Sequence, residues 1–368
     1  MIAASVLSAI LALAQSPQEL NNEGKELYQQ ARYAEAEQAY RNALEGWRSV
    51  PGSKRDRAVT LNNLAVLYRA TGRYGEADAM LRESVRDLES MEGGEGSGLG
   101  MALSNLADLL RLRGRLSEAE TVAQRALAIN ERHAGADAAE TATSLHVLAS
   151  VQMDQARFDR AHDLLVRALA IRQQRFAPDD PAVGSTLGTL ATLEIQRGEY
   201  PAAETASRQA LQIARQVQGE GHPATAACLN NLAQSLRFQH RYLEAEPLYR
   251  QAIGIMETAV GKDHPDVARI VMNLAGFYHD REREAGAEVL YVRARDIFAR
   301  SLGPKHPLTL TASSQLAEVY RAERRYREAE QLSRTVLPAM QAVLGDTDPR
   351  LLQAQANFTR ILAEKGSK

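Results

Sequence analysis

Apolar residues recur along the chain at three- and four-residue spacing, in paired runs. Within 60–70 they fall at Leu61, Leu64, Ala65 and Tyr68, and a second run, 74–88, follows a Thr71-Gly72-Arg73 turn. That period is helical rather than strand-like, and the turn marks a break between two antiparallel helices. The pair is then copied. Ala65, Ala107, Ala149, Ala191, Ala233, Ala275 and Ala317 stand 42 residues apart, each preceded by leucine, and Gly24 begins the series 41 residues before Ala65. Twelve positions after each member comes another alanine: Ala36, Ala77, Ala119, Ala161, Ala203, Ala245, Ala287 and Ala329. Seven further on comes a third small series, Ala43, Ser84, Ala126, Ala168, Ala210, Ala252 and Ala294, ending in Val336. Self-similarity at a fixed interval is the signature of a solenoid, and small side chains let two helix axes approach closely. Aromatics beside the turns (Tyr33, Tyr74, Phe158, Tyr200, Tyr242 and Tyr326) are placed to fill the wedge between the helices. Unit seven carries Glu284 there instead.

The connections repeat too. Gly219, Gly261, Gly303 and Gly345 predict left-handed stops to the second helix of a unit, and Pro223, Pro265, Pro307 and Pro349, four residues later, start the next. His222, His264 and His306 precede three of these prolines, whereas Asp180 and Asp348 precede Pro181 and Pro349. Histidines on successive units lie about 10 Å apart, the distance between packed helices, so they cannot converge on one metal ion. Aspartate at the same place points to a shared capping role.

These spacings predict an all-α solenoid of about eight helix-turn-helix units. The repeats fall near 18–50, 58–91, 100–134, 142–177, 184–219, 226–261, 268–303 and 310–345, within 15–349. A closing helix over 350–364, in a 350–368 tail, covers the last apolar face. The run 92–100 (EGGEGSGLG) replaces one connection and reads as a surface loop, with a hinge as the alternative. Heat- and armadillo-type arrays share a similar period, but the alanine spacing of 12 and then 7 argues against them.

The Leu-Ala, turn and alanine pattern resembles the tetratricopeptide repeat. The interval of 42, with Leu61-Asn62-Asn63-Leu64-Ala65, Leu229-Asn230-Asn231-Leu232-Ala233 and Gly-Lys-Asp-His-Pro-Asp at 261–266, is similar to its kinesin-light-chain subclass. The resemblance covers roughly 18–345. It implies a right-handed superhelix whose first helices line a concave wall.

Composition narrows the function. A formal charge of −2 (44 Lys plus Arg against 46 Asp plus Glu) lacks the basic surplus that nucleic acid demands. Cys228 is the single cysteine, so neither an intrachain disulfide nor a thiolate metal cluster is available, and it reads as a small core residue. No stretch reaches the roughly 20 apolar residues of a bilayer-spanning helix, so no membrane insertion is expected. Residues 2–14 (IAASVLSAILALA) are apolar and end in small-x-small before Gln15, and 1–14 read as a cleaved export signal to the periplasm or exterior. The alternative is a capping helix on a cytoplasmic protein.

On the expected inner wall, the face away from Leu64, Ala65 and Tyr68 carries Asn62, Asn63, Val66 and Arg69. Asparagine recurs as Asn63, Asn105, Asn231 and Asn273, beside Asn230, and arginine six positions on as Arg69, Arg111, Arg237 and Arg321. Carboxamides can pair with any peptide backbone and guanidinium forks select carboxylates, so this ladder predicts an extended, somewhat acidic peptide ligand. The other reading is of ordinary solvated helix residues. Units four and five break the ladder with Val147, Thr189, Met153 and Ile195, an expected apolar patch. The Glu-Ala-Glu runs at 35–37, 118–120, 244–246 and 328–330 read as solvated. No nucleophile elbow, phosphate loop or metal-ligand motif is present, so the sequence calls for no cofactor and no catalysis. The resulting expectation is a non-enzymatic protein-binding scaffold; a structural protein self-associating through its outer helices is the competing class.

Overall fold

The computed structural model describes residues 15–91 and 96–366. The expected export signal, 1–14, lies outside them. Among the described residues the chain forms seventeen helices: α1 (Pro17–Gln29), α2 (Tyr33–Trp47), α3 (Lys54–Ala70), α4 (Tyr74–Glu89), α5 (Ser97–Leu112), α6 (Leu116–His133), α7 (Ala139–Asp154), α8 (Phe158–Arg175), α9 (Pro181–Arg197), α10 (Tyr200–Val217), α11 (Pro223–Phe238), α12 (Tyr242–Val260), α13 (Pro265–His279), α14 (Glu284–Ser301), α15 (Pro307–Ala322), α16 (Tyr326–Leu344) and α17 (Pro349–Gly366). They stack as eight antiparallel pairs closed by α17, an all-α solenoid. The loop expected over 92–100 is shorter than that, because α5 begins at Ser97.

The three small-residue series are the packing points. Ala65, Ala107, Ala149, Ala191, Ala233 and Ala275, the whole series from Ala36 to Ala329, and every member from Ala43 to Ala294 are wholly buried. Gly24 is glycine for a packing reason: a Cβ there would stand 2.7 Å from the ring of Tyr40. At the connections, His222, His264 and His306 cap α11, α13 and α15, each Nδ1 accepting the amide two residues on at 3.1, 3.1 and 3.2 Å. Asp180 and Asp348 do the same with carboxylate oxygens, at 2.7 and 2.8 Å. Gly261 (φ 91°, ψ 155°) and Gly345 (φ 80°, ψ 166°) are extended mirror-image residues, not the expected left-handed helical stops. Only glycine enters that region readily.

Neighbouring first helices touch (α1 with α3, α3 with α5, and so on to α15 with α17), whereas no second helix packs substantially on the next second helix. The first helices therefore sit on the shorter, inner radius. On the outer side, the arginine opening a second helix reaches back to a glutamate of the preceding unit: Arg73 to Glu37 at 2.6 Å, Arg157 to Glu120 at 2.8 Å, Arg241 to Glu204 at 2.7 Å and Arg325 to Glu288 at 2.8 Å. This corrects the expectation of solvated Glu-Ala-Glu runs for the last glutamate of each, whereas Glu35, Glu244 and Glu328 are exposed as expected. The last glutamate of each is half-buried and bracketed, and the first is clasped by an arginine three residues earlier in α2, α6, α12 and α16.

The array comes back on itself after five units. The Gly72 turn of unit two faces His264 and Pro265 of unit seven, and a Cβ on Gly72 would lie 3.3 Å from the imidazole. In unit three a Cβ on Gly114 would lie 3.0 Å from Pro307 Cδ, and His306 Nε2 donates to the Leu112 carbonyl at 2.9 Å. In unit four the Asp154 carbonyl accepts from Arg350 of α17 at 3.3 Å. The turns all need a positive φ, but Ala31, Ala156, His240, Glu282 and Arg324 supply it elsewhere. Glycine stands at Gly72 and Gly114, where the other coil also comes close, and at Gly198, where only Tyr200 Oη lies near, at 3.9 Å. Beside this seam lies a polar cleft of about 560 Å³, lined by Arg115, Glu118, Asp154, Arg157 and Asp348 among others.

Candidate binding groove

The inner wall is built by the first helices, and it carries the predicted ladder. The ladder residues, however, bond to one another. Asn105 Nδ2 donates to Asn62 Oδ1 at 2.8 Å and Asn273 Nδ2 to Asn230 Oδ1 at 2.9 Å, each 43 residues apart. Asn63 donates to Asn21 at 3.1 Å. Asn231 donates to the Gly188 carbonyl at 2.9 Å and to Thr192 Oγ1 at 3.1 Å. Adjacent inner helices thus face each other one residue out of register with the repeat, and the amides tie unit to unit. Asn230 and Asn231 retain 1% and 6% of their surface, which removes them as ligand contacts. Asn62, Asn63, Asn105 and Asn273 are half-buried and keep part of their polar surface.

The arginines are likewise engaged. Arg69 meets Asp108 at 2.6 Å; Arg111 meets Asp108 at 2.8 Å and Asp154 at 2.9 Å; Arg237 meets Asp280 at 2.5 Å; Arg321 meets Glu318 and Glu364 at 2.7 Å. Burial opposes the ionisation of Asp108, but the Arg111 and Arg69 guanidiniums outweigh it and hold the carboxyl at about 2. The sequence reading gave these arginines to a ligand because each has a matching carboxylate 39 or 43 residues away, outside any local pattern, although Asp108 and Glu318 also lie three residues before Arg111 and Arg321.

Units four and five differ, though not as an apolar patch. Val147 and Met153 are 8% and 7% exposed and belong to the core; only Thr189 and Ile195 reach the wall. A polar cluster takes the ladder's place. Arg172, in the last turn of α8, is 6% exposed and has no carboxylate within ion-pair distance. Its Nη1 donates to Thr186 Oγ1 at 2.6 Å and the Ala182 carbonyl at 3.0 Å, and approaches His146 Nδ1 at 3.4 Å. Nη2 lies 3.4 Å from Thr143 Oγ1. Burial lowers the guanidinium to about 10, against the pull of Asp180, so it stays charged at neutral pH. Burial and then Arg172 hold His146 down to about 3 against the opposing field of Asp108. Neutral His146 accepts from Arg172 at Nδ1, which leaves its proton on Nε2 to meet Thr189 Oγ1 at 3.3 Å. The only signal in the sequence was an arginine where units three, five, six and seven have Asn130, Ala214, Met256 and Phe298.

Unit five departs on its outer side as well. Glu199 stands where other units open with arginine, His162 where they carry the bracketed glutamate, and Glu194 where Tyr68, Tyr278 and Tyr320 stand. Glu194 Oε2 is buried without a partner, and burial followed by Glu199 raises the carboxyl to about 7 against Arg197. Among the described residues there is no group of three or more potential metal ligands, and no helix is long and apolar enough to cross a membrane.

A tetratricopeptide repeat signature matches residues 20–90, 98–174, 182–258 and 266–342. No curated protein matches the chain. Among solved structures it is similar to a Rap protein complexed with competence and sporulation factor, at 15% identity and TM-score 0.64, over 85% of this chain and 87% of that one. It is also similar to the Rap conjugation gene regulator of plasmid pLS20 in complex with the Phr* peptide, at 15% identity and TM-score 0.59, over 77% and 75%. A kinesin light chain with nearly identical TPR-like repeats from Podosopora anserina matches at 22% identity and TM-score 0.42, over 54% and 95%.

Proposed function

Because this chain belongs to the tetratricopeptide repeat family, we propose that it is a non-enzymatic scaffold whose inner wall holds an extended segment of a partner protein, in a 42-residue array of the kinesin-light-chain kind. The observation that carries this reading is the composition of that wall. Amides and hydroxyls facing inward from α3, α5, α7, α9 and α13 are only half-buried, so donors and acceptors remain for a peptide backbone after the unit-to-unit bonds are made. The Rap structures, one complexed with competence and sporulation factor and one with the Phr* peptide, are in keeping with it. The test is selection of binders from a displayed peptide library, followed by hydrogen exchange of the complex. Protection concentrated in α3, α5, α7, α9 and α13 is expected; protection confined to the even-numbered helices, or a library that yields no binder, overturns the reading.

Self-association through the outer helices is the second reading, favoured by Leu243 (90% exposed) on α12 and Val289 (67% exposed) on α14. Sedimentation that shows concentration-dependent oligomers, lost in Leu243→Ser, would select it. We further propose that 1–14 direct export. Mass spectrometry of the native protein should then find Gln15 at the amino terminus, and an intact Met1 would refute it.

A further inference from the structure

The guanidinium of Arg172 has two jobs that can be separated. In unit three the equivalent side chain is Asn130, whose Nδ2 donates to Ser144 Oγ at 2.8 Å and the Glu140 carbonyl at 3.2 Å. Arg172 Nη1 donates to the corresponding pair one unit on, Thr186 Oγ1 and the Ala182 carbonyl. One nitrogen of the fork therefore does all that the asparagine does. The positive charge and the remaining N–H groups are surplus to that task. Nη2 faces a neutral acceptor, Thr143 Oγ1, and no carboxylate lies within ion-pair distance of the guanidinium.

An unpaired buried cation is costly, and such groups ordinarily carry a counter-charge. All four arginines of the predicted ladder have one here; Arg172 alone in this wall stands beside hydroxyls and an imidazole instead. The surrounding groups suit an anion. Thr143 and Thr189 bring half-buried hydroxyls from the inner helices α7 and α9, each donating to the carbonyl four residues back and free to turn its proton to a ligand, and His146 lies between them at the rung of Asn62 and Asn230. From these contacts we infer that Arg172 is the anchor for a ligand carboxylate that enters from the groove between α7 and α9. The inference rests on the groove reading above and locates within it the one position that selects an acidic side chain. A planar carboxylate matches the Nε–Nη2 edge of the guanidinium, where it can accept two parallel hydrogen bonds in place of the long 3.4 Å contact of Nη2 with Thr143 Oγ1. The acidic preference of the ligand thus moves from Arg69, Arg111, Arg237 and Arg321, which are neutralised within the fold, to Arg172.

The test uses acetyl-aspartate amide and its isostere acetyl-asparagine amide, followed through the side-chain ¹⁵N signals of Arg172 and His146 in the full chain. Saturable shifts are expected with the aspartate probe, at an apparent affinity at least about tenfold that for the asparagine probe. Arg172→Asn, which removes the charge, should abolish that discrimination. Equal shifts from the two probes, or discrimination that survives Arg172→Asn, overturn the inference. The wild-type comparison decides the matter even where the variant folds poorly. Neither probe is an extended peptide, so a failed peptide selection alongside aspartate-selective shifts would sink the groove reading and leave this site standing.

Discussion

Two neighbouring junctions show how differently one repeat can be finished. Between units three and four the inner and outer arginines are both matched: Arg111 lies between Asp108 and Asp154 on the inner side, Arg157 clasps Glu120 on the outer, and the Asp154 carbonyl is held by Arg350 from the other end of the coil. Between units four and five the inner cation, Arg172, has no carboxylate, the outer bracket is reversed to Glu199 and His162, and Glu194 buries an oxygen with no partner. The helices at both junctions pack on the same wholly buried alanines. Packing therefore fixes the architecture at each, while polar pairing is free to differ. The first junction is built for rigidity; the second retains unsatisfied charge, the condition for binding something else.

The largest effect should come from unbalancing the first junction. Asp108→Asn leaves two guanidiniums without their shared carboxylate and is expected to cost about 3 kcal/mol in urea unfolding. The same group gives a pH signature. Its folded value of about 2 is below the ordinary carboxyl value, so its contribution is complete above pH ~4 and is lost as pH falls towards 2. That loss is about 2 kcal/mol for the wild-type chain and should vanish in Asp108→Asn.

Next comes the seam. His222 and His306 both cap helices, but only His306 also donates across the coil, to Leu112. His306→Ala should cost about 2 kcal/mol and His222→Ala about 1 kcal/mol, the difference being the cross-coil hydrogen bond. Equal losses in thermal melts would mean that the seam contributes nothing to stability.

At the second junction the signs turn over. Glu194 is raised to about 7 in the fold, so it ionises less readily there than in the unfolded chain, and its contribution falls as pH rises from about 4.5 to 7. Glu194→Gln should therefore raise stability by about 1 kcal/mol at pH 8 and leave it unchanged at pH 4. The smallest change expected is for Arg172→Asn without ligand, between no effect and a gain of about 1 kcal/mol, since an uncompensated charge is replaced by a neutral donor. A loss on the scale of Asp108→Asn would put Arg172 in the same structural class as Arg111 and erase the contrast.

Most of the architecture could be read from the chain before folding. The three alanine series gave the helix pairs and their contact points, and His222, His264, His306, Asp180 and Asp348 gave the helix starts, because both depend on neighbours within a few residues or on a constant repeat. The groove was legible only in outline. The inner face could be identified, but Asn63, Asn105 and Asn273 looked free for a ligand because their partners lie 42 or 43 residues away on another helix. The outer arginine brackets were hidden for the same reason.

The sequence by itself determined that the fold is a solenoid of paired helices, where the proline-started helices begin, and which small residues touch. A periodic pattern forces identical local packing at each step. The tertiary structure decided which polar groups cancel, where the coil closes on itself through Gly114 and His306, and that the buried Arg172 has no carboxylate within ion-pair distance. Those outcomes depend on distances between residues tens to hundreds of positions apart, set by how tightly the stacked units curve, and no local periodicity encodes that curvature.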